Sequence, residues 1–223
     1  MHPALAHIDA WIFDLDNTLY PASCNLFGLI DARMTAYVAR ITGLPRDEAY
    51  QLQKRYFRDH GTTLSGMMAE HEVDPHDFLA DVHAIEMDVL REDQHLVQAI
   101  ARLPGRKLVF TNGDAPYARA VLARIGLSES FEAIHDIHAC AYLPKPHAAA
   151  YASMVAAFGI DPARALFADD LARNLAPAKA LGITTLWIDN GSEQIGGHAA
   201  DHIDFTTGDL GAWLAAMIGD QET

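Results

Sequence analysis

Residues 10–19 read AWIFDLDNTL, and this stretch decides the fold. Its first four residues form a continuous apolar run, which is typical of a strand buried on both faces of a parallel sheet. The run ends at Asp14, and Asp16 follows two residues later. Because side chains alternate along an extended segment, both carboxylates are expected to point the same way. Solvated turn residues would explain such a pair, but two adjacent carboxylates that converge on one site need a cation, and Mg²⁺ prefers oxygen ligands.

Similar apolar runs recur along the chain, and each is followed by polar residues. The four runs are residues 10–13, 107–110, 165–168 and 184–188. Helical patterns intervene, for example at 116–125 and 172–181, and a glycine follows each of these two. This alternation predicts an α/β fold with a doubly wound, Rossmann-like parallel sheet. In that architecture ligands bind beyond the carboxyl ends of the strands, where the polar residues cluster.

The segment between the first and second strands has a different character. Apolar residues recur at helical spacing over residues 26–41, and shorter helical patterns follow up to residue 103. We therefore predict an α/β core of residues 1–21 and 104–223, with a small all-helical cap of residues 22–103 inserted after the first strand. A unit inserted at that point is expected to lie over the strand ends.

Composition and charge limit the possible partners. The chain has 223 residues, of which 50% are hydrophobic, and this is enough for one core with a small insertion. Its formal net charge of −14 disfavours nucleic-acid polymers and anionic membranes as partners. A small phosphorylated molecule stays possible if a local site or a metal supplies positive charge. Nothing in the sequence indicates an oligomeric state.

The cysteines and the first residues of the sequence indicate the compartment. Cys24 and Cys140 lie far apart and form no metal-binding or disulfide pattern. Residues 1–10 lack the basic start and apolar run of a signal peptide, and no window is apolar enough to span a membrane. We therefore expect a cytoplasmic protein.

Two further motifs follow the second strand. Thr111-Asn112-Gly113 precedes a helix, so its hydroxyl, amide and backbone N–H groups could bind an anion. An ordinary helix cap would explain the same residues. Lys145 lies between two prolines, where its ammonium could be directed at a phosphate, although an exposed lysine is the simpler interpretation.

A second acidic pair, Asp169-Asp170, follows the third apolar run. Acidic residues often cap helices, so this pair alone is weak support for a site. The order of the four signals is more informative than any one of them: an acidic pair, a hydroxyl, a lysine and another acidic pair, each near a strand end.

In this order the motifs resemble those of the phosphatases of the haloacid dehalogenase superfamily, in the subgroup with a helical cap. The resemblance implies that Asp14 is the nucleophile that accepts the phosphoryl group. It implies that Asp16 is the general acid for the leaving oxygen and then the general base for water. Thr111 would bind the phosphoryl oxygens together with Asn112, and Lys145 would neutralise charge on the nucleophile and the phosphate.

The same resemblance implies a bound Mg²⁺. Its expected ligands are Asp14, the backbone carbonyl of Asp16, Asp170 and the neighbouring Asp169, with Asn174 in a supporting role. The dehalogenase branch of the superfamily needs no metal and lacks an acid two residues after the nucleophile. Asp16 therefore favours phosphate chemistry.

The cap sequence suggests a substrate. Residues 56–67 and 82–88 resemble segments of pyrimidine 5′-nucleotidase-like members, which implies a pyrimidine nucleoside 5′-monophosphate. Thr62 and Thr63 could place hydroxyls over the pocket, and Tyr20 could stack on a base. Three alternatives stay open: a phosphoglycolate or sugar-phosphate phosphatase, a phosphomutase, and a non-catalytic protein that retains the fold to bind a ligand or only as a structural domain.

Overall fold

The computed structural model describes residues 1–192 and 200–219. Within these residues the chain forms one six-stranded parallel sheet, in the order β3-β2-β1-β4-β5-β6. The strands are β1 (Ala10–Phe13), β2 (Arg106–Phe110), β3 (Ala133–His135), β4 (Ala165–Asp169), β5 (Thr184–Ile188) and β6 (Phe205–Thr207). This order is the doubly wound, Rossmann-like arrangement, so the predicted fold class is confirmed.

Five α-helices lie between β1 and β2, and four lie further along the described chain. The first group is α1 (Leu26–Thr42), α2 (Arg46–His60), α3 (Thr63–His71), α4 (Pro75–Val82) and α5 (Gln94–Arg102). The second is α6 (Ala115–Arg124), α7 (Ala148–Phe158), α8 (Ala172–Ala180) and α9 (Leu210–Ile218). In the described part of the chain, no helix combines the length and apolar character needed to cross a membrane.

The sheet has an apolar layer on each face, as its uninterrupted apolar strands require. Trp11 and Phe13 of β1 point into one layer, which the apolar residues of α5, α6 and α9 complete. Ala10 and Ile12 point into the other layer, which α7 and α8 cover. All four β1 residues are buried, as the sequence predicted for this strand.

Helices α1 to α4 pack on one another as a separate helical layer. Thr62 begins α3 by accepting a hydrogen bond from the backbone N–H of Ser65, at 3.1 Å. Helices α2 and α3 cross closely, because a Cβ atom added at Gly66 would lie 2.3 Å from Cγ of Tyr56. This crossing admits no side chain at Gly66.

Helix α5 lies within the predicted cap range, residues 22–103, but packs against α9 of the core. The two helices approach so closely that a Cβ atom added at Gly211 would lie 3.3 Å from the backbone nitrogen of Leu96. Leu96 and Ile100 also join the apolar layer on the sheet. The division of the chain stays a proposal, and these contacts favour a boundary between α4 and α5.

Candidate active site

The site lies at the carboxyl ends of β1 and β4, where the strand order reverses direction. Phe13 pairs with Ala168, and the backbone N–H of Asp14 donates to the Ala168 carbonyl at 2.9 Å. This pairing brings the predicted nucleophile beside the second acidic pair. In the described residues, Asp14, Asp169 and Asp170 are all buried and each offers a carboxylate oxygen within 4.8 Å of the others.

Lys145 lies against this acidic cluster. Its ammonium donates to Asp14 Oδ1 at 2.7 Å, to Asp169 Oδ2 at 2.7 Å and to the carbonyl of Phe110 at 2.9 Å. The side chain is 1% exposed, so the interpretation of Lys145 as an idle surface lysine is wrong. Burial alone lowers the pKa of Lys145, but the charges of Asp14 and Asp169 raise it above its ordinary value. The ammonium is therefore charged.

Asn112 holds the loop that carries Lys145. Its Oδ1 accepts the backbone N–H of Lys145 at 2.8 Å, and its Nδ2 donates to the Lys145 carbonyl at 3.2 Å. We expected Asn112 to bind phosphate, but its amide is used mainly to position the lysine, although the residue also lines the cavity. The Thr111 hydroxyl accepts the N–H of Gly113 at 2.9 Å, and Thr111 is not among the residues that line the cavity.

Asp169 is an acceptor for neighbouring groups on both of its oxygens. Oδ1 accepts the backbone N–H of Leu171 at 2.8 Å, and Oδ2 accepts Lys145. Nδ2 of Asn174 lies 3.0 and 3.1 Å from the two oxygens. We predicted Asp169 as a metal ligand, and these contacts favour a role in holding Lys145 and Asn174. Asp14 and Asp170 are the acidic-cluster residues that line the cavity.

The electrostatics of the acidic cluster fit a divalent cation. Burial raises the pKa of Asp14 well above its usual range, and the charges of Asp169 and Asp170 raise it further against the opposing effect of Lys145. Burial, with the charge of Asp169, raises the pKa of Asp170 to about 7. Oδ1 of Asn174 is buried and has no hydrogen-bond partner among the described residues. Three carboxylates, one ammonium and an unpartnered amide oxygen suit an oxygen-preferring cation such as Mg²⁺.

Asp16 lines the same cavity, but its carboxylate is held apart from the acidic cluster. Its Oδ1 accepts the hydroxyls of Tyr20 and Tyr117, each at 2.6 Å. Burial and the nearby charge of Asp16 raise the pKa values of both phenols well above their ordinary value. Both tyrosines therefore act as donors.

Tyr20 does not have the contact that we expected from its sequence. It is 3% exposed and does not line the cavity, because its hydroxyl is directed at Asp16, four residues earlier. A tyrosine buried in this way has no exposed face on which a base could stack. Tyr117 was missed altogether, and its position early in the helix after Thr111-Asn112-Gly113 is the only sequence signal that could have suggested it.

A cavity of about 160 Å³ lies between the strand ends and α1 to α4. Asp14, Asp16, Lys145 and Asp170 form its reactive end. Much of the remaining wall is apolar, and it includes Phe27, Ile30, Met34, Phe57, Leu64, Phe78, Leu79 and Val82. The cap helices therefore supply most of the surface that a substrate would contact away from the carboxylates.

The cap also contributes polar groups to the cavity wall. Thr62 and Thr63 line it, as predicted, although the Thr62 hydroxyl is also the cap of α3. Asp31, Gln53 and Lys54 also line the cavity. Asp31 Oδ1 accepts a hydrogen bond from Gln53 at 2.6 Å and one from Lys54 at 3.2 Å. The sequence did not indicate these three residues. Residues of this type, scattered over two helices, carry no motif.

Comparison with known proteins identifies the family. The sequence model described as haloacid dehalogenase-like hydrolase matches residues 8–182, a range that contains every reactive group described above. The chain belongs to this family. The assignment agrees with the resemblance that the motif order indicated.

Two relatives of this haloacid dehalogenase-like hydrolase are similar to it over more than three quarters of its length, and their names differ. Phosphate metabolism protein 8 of Saccharomyces cerevisiae is 24% identical over 190 residues, which cover 78% of this chain and 59% of that protein. The (S)-2-haloacid dehalogenase of Xanthobacter autotrophicus is 28% identical over 191 residues, covering 79% and 73%. This chain thus spans less than two thirds of the yeast relative's length.

Among solved structures, a predicted phosphoglycolate phosphatase from Haemophilus somnus 129PT superposes with a TM-score of 0.64 at 17% identity. The superposition covers 94% of this chain and 98% of that one. At this identity the likeness supports the fold alone.

Proposed function

We propose that this hydrolase is a Mg²⁺-dependent phosphomonoesterase that acts on small phosphate monoesters through an aspartyl-phosphate at Asp14. The observation that carries the proposal is the pair of carboxylates with different surroundings. Asp14 lies against the ammonium of Lys145, while Asp16 in the same cavity is held by two tyrosine hydroxyls. A nucleophile and a separate acid–base group are what two-step ester hydrolysis needs.

In the first step a carboxylate oxygen of Asp14 attacks phosphorus, and Asp16 gives its proton to the departing alcohol oxygen as the P–O bond breaks. In the second step Asp16 takes a proton from water, which attacks the same phosphorus and releases phosphate and free Asp14. Lys145 offsets the repulsion between the anionic nucleophile and the anionic ester. Bound Mg²⁺, held by Asp14, Asp170 and the Asp16 carbonyl, would supply further positive charge to the phosphate.

Haloacid dehalogenation is the second candidate, because a dehalogenase is among the relatives. A departing halide is a weak base and needs no proton, so that reaction has no use for Asp16. A haloacid also carries a carboxylate, which would meet Asp14, Asp169 and Asp170 with one ammonium among them. These charges favour a phosphate ester bound together with a divalent cation.

The cavity wall supports a substrate that contains a ring. Phe27 and Phe57 offer flat apolar surfaces, and Asp31 with Lys54 offers hydrogen-bonding groups. A pyrimidine nucleoside 5′-monophosphate combines a ring with polar edges, so we retain it as the proposed substrate. A hydroxyl-rich sugar phosphate or phosphoglycolate fits the apolar wall less well, and a phosphomutase would have to exclude water from the same site. We retain the cytoplasm as the proposed compartment.

A substrate panel tests the proposal. Uridine and cytidine monophosphates, phosphoglycolate, hexose phosphates and 2-chloropropionate are assayed with Mg²⁺ and with a chelator. We expect Mg²⁺-dependent phosphate release, fastest from the two nucleotides, and no halide release. If both nucleotides are among the poorest substrates, the nucleotidase assignment is wrong; if chloride is released and phosphate is not, the phosphatase assignment is wrong.

The Asp14→Asn substitution tests the nucleophile. The amide keeps the shape of the side chain but cannot attack phosphorus, so we expect turnover to fall at least about 1,000-fold. Asp161→Asn is the matched control, because Asp161 is exposed and only caps a short turn by accepting the N–H of Ala163. Circular dichroism should show both variants folded. Turnover of the Asp14 variant close to that of the control would remove Asp14 from its role.

A further inference from the structure

Two tyrosine hydroxyls converge on one oxygen of Asp16. Tyr20 and Tyr117 each donate to Oδ1 at 2.6 Å, and each residue is 3% exposed. The two residues come from different parts of the fold, since Tyr20 follows β1 and Tyr117 lies in α6. Asp14 and Asp170 face the same cavity beside Asp16.

The contacts restrict how the Asp16 carboxylate can turn. Two donors at Oδ1 restrict the rotation about the Cβ–Cγ bond, because any large rotation short of a half-turn would break both hydrogen bonds. Since both hydroxyls donate, Oδ1 is an acceptor, and a proton carried by Asp16 resides on Oδ2. Asp16 lines the cavity, so Oδ2 is the oxygen that can exchange a proton with a bound substrate.

Tyr117 is itself held by contacts to its backbone and to its ring. Its backbone N–H donates to Asp114 Oδ1 at 3.2 Å at the start of α6. The ring of His83, which follows α4, stacks on it with centroids 4.1 Å apart and planes 12° apart. Nδ1 of His83 lies 2.9 Å from the same Asp114 oxygen. Tyr117, a residue of core helix α6, is therefore in contact with a residue of the cap.

We propose that Tyr20 and Tyr117 are positioning residues, which hold Asp16 so that Oδ2 transfers the proton between the carboxyl group and the substrate. Neither tyrosine contacts the reacting atoms. The inference rests on the proposed function, because it takes Asp16 as the acid for the departing alcohol and the base for water. The proton leaves Oδ2 as the P–O bond breaks and the bond from Asp14 to phosphorus forms.

Comparing esters with different leaving groups shows whether the tyrosines position the acid Asp16 or only support the fold. Glycerol 2-phosphate releases a strongly basic alkoxide that needs a proton, whereas p-nitrophenyl phosphate releases a weakly basic phenolate that does not. The parameter to compare is kcat/KM, because it reports the steps up to the first chemical transfer. We expect Tyr117→Phe and Tyr20→Phe each to lower kcat/KM about 10-fold for glycerol 2-phosphate and less than about 2-fold for p-nitrophenyl phosphate.

Tyr37→Phe is the matched control. Tyr37 is 5% exposed in the cap and packs edge-on against Phe78, without a contact to Asp16. Its variant should leave both kcat/KM values unchanged. Asp16→Asn shows how the two kcat/KM values change when the acid itself is removed. Adding Tyr117→Phe to this variant should not lower kcat/KM for glycerol 2-phosphate any further relative to p-nitrophenyl phosphate, because the carboxyl group that Tyr117 positions is already absent.

The outcomes are distinguishable. Equal losses on both esters, or no loss on either, contradict the positioning role while leaving the phosphatase assignment intact. A parent protein that hydrolyses neither ester contradicts the proposed function itself. A crystal structure of the parent chain provides a measurement without substitution: tyrosine hydroxyls bonded elsewhere than Asp16 Oδ1 would also contradict the proposal.

Discussion

The ammonium group of Lys145 uses each of its three N–H donors inside the protein, on Asp14, Asp169 and the Phe110 carbonyl. The rings of Phe110 and Phe167 lie 5.1 and 5.2 Å from the nitrogen. A charge in such surroundings is stabilised by its partners, and the side chain is only 1% exposed where it meets the cavity. The same ammonium therefore holds the acidic cluster together and acts on the proposed phosphate.

We expect Lys145→Met to lower the free energy of unfolding by about 3–5 kcal/mol in the presence of a chelator. Methionine keeps the volume but leaves Asp14 and Asp169 buried without their cation. Urea denaturation provides the measurement. Lys179→Met is the control, because Lys179 is 39% exposed in its ion pair with Asp204 and should contribute about 1 kcal/mol or less. Equal losses in both variants would contradict this account of Lys145.

Among single residues, the sequence predicted those that follow the apolar strands. Asp14, Lys145 and Asp170 were predicted for the site and meet there, because parallel strands bring their carboxyl ends to one edge. The contacts of Asn112 and Tyr117 were not predicted. Their partners lie 33 and 101 positions away, and which side chain reaches which partner depends on tertiary packing that no local pattern contains.

Helices and strands with a clear sequence pattern were predicted, whereas short or low-contrast elements were missed. The long apolar run at 10–13 and the helical pattern at 26–41 were predicted nearly to their observed ends. Strands β3 and β6 have three residues each, too few for a recognisable period. Helix α7 was also missed, because its alanine-rich sequence gives little contrast between a buried and an exposed face.

The crossing of α2 and α3 leads to a prediction about the cap. We expect Gly66→Ala to destabilise the protein by about 1–3 kcal/mol, because the new methyl group would overlap the Tyr56 ring. Alanine favours a helix over glycine by about 1 kcal/mol, so a net gain in stability would contradict the crossing. Gly28→Ala in α1 is the matched control, since the three atoms nearest to its methyl group belong to the Asn25 side chain, which can rotate. Thermal unfolding compares the two.

Over the whole molecule, the cap is attached to the core on two sides of the cavity wall. His83 contacts Asp114, and Arg173 of α8 donates to the Gly61 carbonyl at 3.3 Å. The guanidinium of Arg173 also lies 4.6 Å from the centroid of the Phe57 ring, which lines the cavity. These contacts fix how the apolar wall faces the carboxylates.

We expect Arg173→Ala to raise KM about 10-fold for the best phosphate monoester, with a smaller change in kcat. Loss of the hydrogen bond and of the cation–π contact weakens the position of the cap wall but leaves the reacting groups in place. Steady-state kinetics with saturating Mg²⁺ measure this. Arg164→Ala, which removes a half-exposed ion pair with Asp9 near the opposite strand ends, should leave KM unchanged. A fall in kcat alone would argue against the role given to Arg173.

The separation of Asp14 from Lys145, 131 positions along the chain, has a consequence for biosynthesis. A ribosome that has translated the whole cap has already made Asp14, the proposed nucleophile, but not Lys145, whose ammonium contacts it. Asp169, the last residue of β4, and Asp170 after it are made later still. A translation product that ends before residue 145 would therefore carry the proposed nucleophile without the ammonium that contacts it.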